Sequence, residues 1–238
     1  MTKYFRIPAT LWIKCIWLML VTLTVQVEAS NLQSYEAKFT AFRYGRDLGN
    51  AELSLQALGR NKYRLTYDSK ISLFFLSDIR HEVSLFSFSN ETIIPYKYEY
   101  KRTGTGPNKA ITVLFDSNKK QIKVNDEAPI SWQQQLDNQL YRLDIQYKLA
   151  QGATEFSYDV INNRGELKQY DLKVLGKEQL DLPYGVLEGI KVNIIRTNST
   201  RQTYAWFSPQ LNYQLVRLQQ FKDGDEQGEI QLKEYTVK

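Results

Sequence analysis

The chain has 238 residues, with 31 Lys+Arg against 26 Asp+Glu for a net charge of +5, and 42% of it is hydrophobic, 13% aromatic. That apolar fraction is too high for a disordered polymer, and 24% charged residues is ordinary for a globular domain. One His and one Cys cannot build a Cys/His zinc or iron–sulfur site, and they leave a His-based triad a single imidazole to use.

Residues 1–29 read as a secretory signal peptide. Lys3 and Arg6 make a basic start, Cys15–Val25 is an apolar run, and Val27-Glu28-Ala29 places compact residues where a signal peptidase cuts. Lys14 limits the run to 11 residues. A membrane-spanning helix needs about 20, which weighs against the alternative of an uncleaved anchor. Cys15 follows Trp12-Ile13-Lys14, not a small-residue lipobox, and it stands at the start of the apolar run and not after it, so it is not a lipoprotein cysteine. Cleavage after Ala29 leaves residues 30–238 as a single β-rich domain of 209 residues in the periplasm, with no transmembrane span. Lys3, Arg6, Lys14 and Glu28 go with the signal, so the charge falls from +5 to +3, and the only Cys goes too. The exported chain then has no thiol chemistry. Its core must hold the fold unaided, which ~200 residues can do by burying about 70% of their unfolded surface.

The rest alternates. Tyr35, Ala37, Phe39 and Ala41 share a face, then a turn over Gly45–Gly49 leads to Ala51, Leu53, Leu55 and Ala57. Gly59-Arg60-Asn61 turns the chain into Tyr63, Leu65 and Tyr67. Ile71–Leu76 reads either as strand or as an apolar loop. Val83 and Leu85 continue the pattern, as do Tyr96, Tyr98 and Tyr100, then Ile111, Val113 and Phe115, and after Asp116–Lys120 Ile122 and Val124. One segment changes period. Leu136, Leu140, Leu143 and Tyr147 fall at i, i+4, i+7 and i+11, which predicts a helix over about 136–149, with Asp137 near its start and Gly152 as a stop. Strands resume with Phe156, Tyr158 and Val160. A turn at Asn162–Gly165 follows, then Tyr170, Leu172 and Val174, and a turn at Pro183-Tyr184-Gly185. The last strands hold Ile190, Val192 and Ile194, then Tyr204–Phe207, Leu215–Leu218 and, after the turn Asp223–Gly228, Ile230 and Leu232. The expected fold is mainly β, a large curved antiparallel sheet or half-barrel with one packed helix.

Few residues suggest chemistry. His81 stands among Asp78, Arg80 and Glu82 with no G-x-S-x-G elbow to supply a nucleophile, and reads as structural. Asp223-Gly224-Asp225-Glu226 lacks EF-hand spacing and reads as a polar hairpin turn. Gly104-Thr105-Gly106 lacks the third Gly and the helix of a dinucleotide site. No metal site and no cofactor are expected. The Lys and Arg residues are scattered, and nothing resembles a nucleic-acid module. A carboxylate pair for glycan hydrolysis depends on separation in space, which a sequence does not give. The aromatic load is the sharper clue: 16 Tyr, 11 Phe and 4 Trp. Such rings either fill a sheet core or line a concave apolar face that holds an acyl chain or a hydrophobic peptide.

The mature chain resembles the uncharacterised bacterial family called domain of unknown function thirty-one-oh-eight. The likeness is carried by YEAKFTAFRYGRDLGNAELSL, IPYKYEYKRTG, the helix QLDNQLYRLDIQYKLAQG, VLGKEQLDLPYGVLEGIKV and YAWFSPQLNYQLVRL. It implies a secreted or periplasmic, β-rich protein with no established activity. The turn Pro183-Tyr184-Gly185, the strand ending Ile190-Lys191-Val192 and the run Trp206-Phe207-Ser208-Pro209 are also similar to envelope lipoprotein-carrier proteins, whose curved sheet surrounds an apolar cavity covered by helices. The leading expectation is a non-catalytic envelope protein that binds a lipid or other amphiphile through residues such as Tyr96, Tyr98, Trp132, Leu140, Tyr147 and Trp206. The alternatives are an envelope polysaccharide-active enzyme and a scaffold whose sheet edge pairs with an envelope protein.

Overall fold

Strands with one apolar face, joined by turns of two residues, stack most simply as a meander, each pairing with the next. The computed structural model, which describes residues 32–197 and 199–238, does this twice. Residues 1–29, read from sequence as a signal peptide, lie outside the described residues. The first meander is β1 (Tyr35–Arg43), β2 (Arg46–Gly59), β3 (Lys62–Leu73), β4 (Leu76–Ser89), β5 (Thr92–Gly104), β6 (Lys109–Asp116), β7 (Gln121–Val124) and β8 (Ile130–Ser131). Then come β9 (Leu136–Asp137) and the helix α1 (Leu140–Ala150). The second meander is β10 (Glu155–Ile161), β11 (Leu167–Leu182), β12 (Gly185–Arg196), β13 (Arg201–Ser208), β14 (Gln214–Lys222) and β15 (Asp225–Val237). β1 pairs with β15 and joins the two into one sheet of 15 strands with β8 and β9 at its edges. The pairing is antiparallel except that β9 lies parallel to β10.

The sheet is not closed by hydrogen bonds, yet it curls until its ends face each other. Ile161 of β10 is buried in one apolar cluster with Tyr98, Val113, Phe115, Ile122 and Val124 of β5–β7. The α1 helix fills the hollow, with Leu140, Tyr141 and Ile145 fully buried against the inner faces of both meanders. Each such side chain contributes about 1.5–3 kcal/mol.

The helix begins at Leu140, four residues after the start predicted from the stripe. Leu136 and Asp137 pair with Val160 and Ile161 instead. The Asp137 carboxylate accepts the amide hydrogens of Gln139 and Leu140 and so marks the turn into the helix. The buried set is also wider than a stripe, because sheet surrounds the helix instead of lying on one side of it.

Two faces differ from the alternation read above. In β4 the inward side chains are Glu82, Ser84, Phe86 and Phe88, and Val83 and Leu85 are half-buried on the other side. Phe86 and Phe88 claim the core, and a period of two then fixes the whole strand. In β5 a bulge sets Lys97 opposite Leu85 and Pro95 opposite Phe86, and Tyr96 has no partner. Tyr98 and Tyr100 are buried and Tyr96 is half-exposed. Ala57 is exposed, beside an irregularity at the end of β2. The segment 71–76 resolves as the end of β3, a two-residue turn Phe74-Phe75 and the start of β4.

Candidate functional site

The inward faces change character towards one end of the hollow. Along β4 the order is Phe88, Phe86, Ser84, Glu82, Arg80; along β3 it is Tyr63, Leu65, Tyr67, Ser69. Along β12 it is Ile190, Val192, Ile194, Arg196, and along β13 Phe207, Ala205, Thr203, Arg201. The register places these polar ends together, at the end bearing the β1–β2, β3–β4 and β14–β15 turns. An apolar interior thus leads to a polar mouth.

At the base of the mouth two carboxylates meet the start of α1. Asp137 Oδ1 accepts from Ser84 Oγ, Gln139 N and Leu140 N, each at 2.9 Å. Its Oδ2 is buried and finds no hydrogen-bond partner among the described residues. Burial pushes this carboxyl up to about 7, against the pull of those three donors. A carboxyl placed so can hold a proton on Oδ2 at neutrality. Glu82 accepts from Tyr98 Oη at 2.5 Å and from Asn138 Nδ2 at 3.0 Å. Burial and then the Glu82 charge raise the Tyr98 hydroxyl well above its ordinary value. Glu82 and Asp137 are sealed, at 3% and 0% exposure, out of reach of a bulky glycan.

Arginines line the mouth above them. Arg142 of α1 donates Nε to Tyr141 Oη at 3.2 Å, and Tyr141 meets Tyr170 edge-on at 5.4 Å. Arg196 stacks over Tyr170 at 4.9 Å and donates to Thr203 Oγ1 at 2.7 Å. Among the described residues the arginine ion pairs are Arg80–Asp78, Arg102–Asp78 and Arg217–Glu229. Among the described residues, Arg142, Arg164, Arg196 and Arg201 have no carboxylate within ion-pair distance. Burial, and then the charges of Arg196, Arg164 and Arg80, hold the Arg201 guanidinium below its usual range. Arg196, Arg164 and Arg80 act on Arg201 with like charge, and guanidinium groups so placed take an anion by bidentate, charge-assisted hydrogen bonds.

Of the residues expected from sequence, Tyr98 and Leu140 reach this cluster, through Glu82 and Asp137 respectively. Tyr147 lies further along α1, edge-on to Phe88 at 5.5 Å. Trp132 lies near the β8 edge, its Nε1 bonded to Gln135 O and its ring against Phe115. Tyr96 occupies the bulge. Trp206 shares a face of β13 with its cross-strand partners, its ring between Lys191 at 5.0 Å and Arg217 at 4.6 Å and its Nε1 bonded to Glu178. Those three are not brought together with the rest. His81 is half-exposed, bonded through Nδ1 to Asp68 Oδ1 at 2.6 Å. The sequence reading missed Glu82, Asp137 and the arginines. For Glu82, Arg196 and Arg201 the signal was the point where β4, β12 and β13 run from apolar into polar residues on the same parity.

A curled antiparallel sheet with a helix in its hollow and arginines around its mouth defines the class: a barrel-like, mainly β protein. The chain belongs to the family described as protein of unknown function (DUF3108), whose model matches residues 34–231. It is similar in fold to a β-barrel-like protein of domain of unknown function DUF1849 from Brucella abortus, with a TM-score of 0.61 and 6% identity over 87% of this chain and 99% of that one. A looser likeness links it to a Bacteroides fragilis protein described as exported, with a YmcC-like fold (TM-score 0.34, 9% identity, 87% and 97% covered). Another links it to a Parabacteroides distasonis protein described as a lipoprotein (TM-score 0.31, 13% identity, 87% and 96% covered). No curated protein matches the chain.

Proposed function

We propose that this chain is a non-catalytic protein of the cell envelope that loses residues 1–29 on export, works in the periplasm and binds an anionic amphiphile. The observation that carries this reading is the mouth: Arg164, Arg196 and Arg201, with no carboxylate at ion-pair distance among the described residues, stand where an apolar interior opens. The charged head would meet those guanidiniums. The apolar part would run between α1 and the sheet, past Leu140 and Tyr147, in contacts that α1 now makes. Each buried methylene would contribute about 0.8 kcal/mol, so a chain of ordinary acyl length offsets the displaced packing. Tyr98, at the base of the mouth, completes the set on this side, and Tyr96, Trp132 and Trp206 would contribute only to the surrounding frame.

Native mass spectrometry of the protein purified from envelope extracts tests it, with palmitate and phosphatidylglycerol as added probes. The expected result is an adduct of an anionic amphiphile that falls at least tenfold in Arg196→Gln/Arg201→Gln. An absence of adducts, both co-purified and with the probes, sinks the proposal.

A further inference from the structure

The β3–β4 hairpin ends in two phenylalanines that the fold does not use. Phe74 is 82% exposed, Phe75 92% and the following Leu76 54%. Their burial would stabilise the protein, and leaving them in water forgoes it. The backbone makes the choice still less economical. Phe74 has φ 54°, in the left-handed region where Gly, Asn or Asp fits and a bulky residue is strained. The chain's other two-residue turns with left-handed residues are Tyr44-Gly45, Arg60-Asn61, Asn90-Glu91 and Asp223-Gly224, each with a Gly, Asn or Asp. Among the turns of the described residues, only that between β3 and β4 is wholly aromatic.

The tip also stands clear of its neighbours. Pairing of β3 with β2 ends at Ile71–Gly49, and pairing of β4 with β5 ends at Asp78–Gly104. Three residues of extended chain beyond Ile71 reach about 10 Å. Thr105 steadies the base, its Oγ1 accepting from Ser77 N at 2.8 Å and donating to the Phe75 carbonyl at 3.3 Å. Around the base stand Arg46, Lys70, Arg80, Arg102 and Lys109 against Asp47 and Asp78. Asp78 is taken up by Arg80 and Arg102, and Asp47 Oδ1 accepts from Gly49 N. An aromatic tip about 10 Å tall on a basic collar has the dimensions and charge of an interfacial anchor, which enters the headgroup and upper acyl region by about 5–10 Å.

We infer that the β3–β4 hairpin docks the protein on the surface of an anionic lipid bilayer, with Phe74, Phe75 and Leu76 inserted and Arg46, Lys70 and Lys109 against the phosphates. This inference rests on the hairpin alone and goes beyond amphiphile binding at the mouth, since either can hold without the other. The partner is a surface, not a single molecule, and the contact weakens with salt because the collar is solvent-exposed.

Co-flotation with vesicles of phosphatidylcholine alone, or with one quarter phosphatidylglycerol, tests it on protein extracted from cells making the full chain. The wild-type protein is expected to float with the anionic vesicles and not with the neutral ones. Phe74→Gly/Phe75→Asn puts Gly at the one left-handed position of the turn and a turn-forming residue beside it. It should melt no lower than wild type and lose at least tenfold in vesicle affinity. Phe75→Trp leaves the tip apolar, and its emission should move to the blue on anionic vesicles. Wild-type protein that stays unbound, as a tip reserved for a protein partner would leave it, overturns the inference. So does a double variant that floats as well as wild type, or a Phe75→Trp emission that vesicles leave unchanged.

Discussion

Asp137 uses its two oxygens unequally: Oδ1 holds three donors, and the buried Oδ2 has none among the described residues. Burial then outweighs hydrogen bonding, and the folded value rises to about 7 from 3.8. A raised carboxyl value means that the folded state holds the proton more tightly than the unfolded chain does. Its contribution is fully present below about pH 4 and is lost as pH rises towards 7. The span corresponds to a loss of about 4 kcal/mol at most. Asp137→Asn keeps an acceptor for Ser84 and the helix amides and removes the titration. Urea unfolding at pH 4.5, 6 and 8 should show wild-type stability falling across the window relative to the variant; parallel curves would refute the assignment. The side chains at this site were the least legible part of the sequence. Arg142, Arg164, Arg196 and Arg201 belong to α1, a turn and two different strands, and no spacing rule joins them. Asp137 reads as a helix-start residue from sequence, which is correct, but only burial makes it titrate near neutrality.

Alternation made the strands readable in order, because nearly every one has a single face to bury and a short turn after it. Their parity was less readable. In β4, Val83 and Leu85 are as apolar as Phe86 and Phe88, and only the three-dimensional core decides which pair goes inside. The β5 bulge likewise leaves no mark but Pro95 beside Tyr96. Helix bounds depended on β9, a two-residue strand too short for any periodicity. At this scale α1 is a plug, and its cost of removal can be measured. Ile145 is fully buried, so Ile145→Ala should lower the unfolding free energy by about 2–5 kcal/mol in urea titrations. Gly49 tests the sheet where β2 meets β3. Its φ is 141°, and a Cβ there would stand 2.1 Å from the Lys70 carbonyl oxygen. Gly49→Ala should therefore cost more than ~1 kcal/mol, beyond ordinary strand propensity. Gly45→Ala, with nothing within 4 Å, should show only the strain of its φ of 73°. Equal losses at the two glycines would mean that the close approach to Lys70 is relieved by a small backbone shift.

A sheet of 15 strands paired from β8 to β9 has one place where it can part without breaking a ladder, the seam between β7–β8 and β10–β11. Among the described residues it is closed by side chains and by the short link 132–135 between the edge strands β8 and β9. Ile161 packs on the β5–β7 cluster, and Gly165 of the β10–β11 turn lies against Val124. A cleft of about 550 Å³ opens there, lined by Ile122, Val124, Ile130, Gln135, Gly165 and Leu167. If an amphiphile enters the hollow, opening this seam and moving α1 costs contacts, not hydrogen-bonded pairs of strands. A covalent lock can test that. A Cβ built at Gly165 would stand 3.8 Å from Val124 Cβ, the mean separation across a disulfide. The sequence has a single native Cys, Cys15, in the segment expected to leave on export, so Val124→Cys/Gly165→Cys would form one bridge without competitors. Closing a loop of about 40 residues stabilises by roughly 4 kcal/mol in the chain-entropy account. The left-handed φ of 79° at residue 165 subtracts some of that, because Cys is less at ease there than Gly. The oxidised variant should melt higher than the reduced one and take up palmitate at least tenfold more slowly, with reduction restoring uptake. Equal uptake by oxidised and reduced forms, with the bridge verified by mass, would place entry at the arginine mouth, with the seam serving only to hold the curled sheet shut.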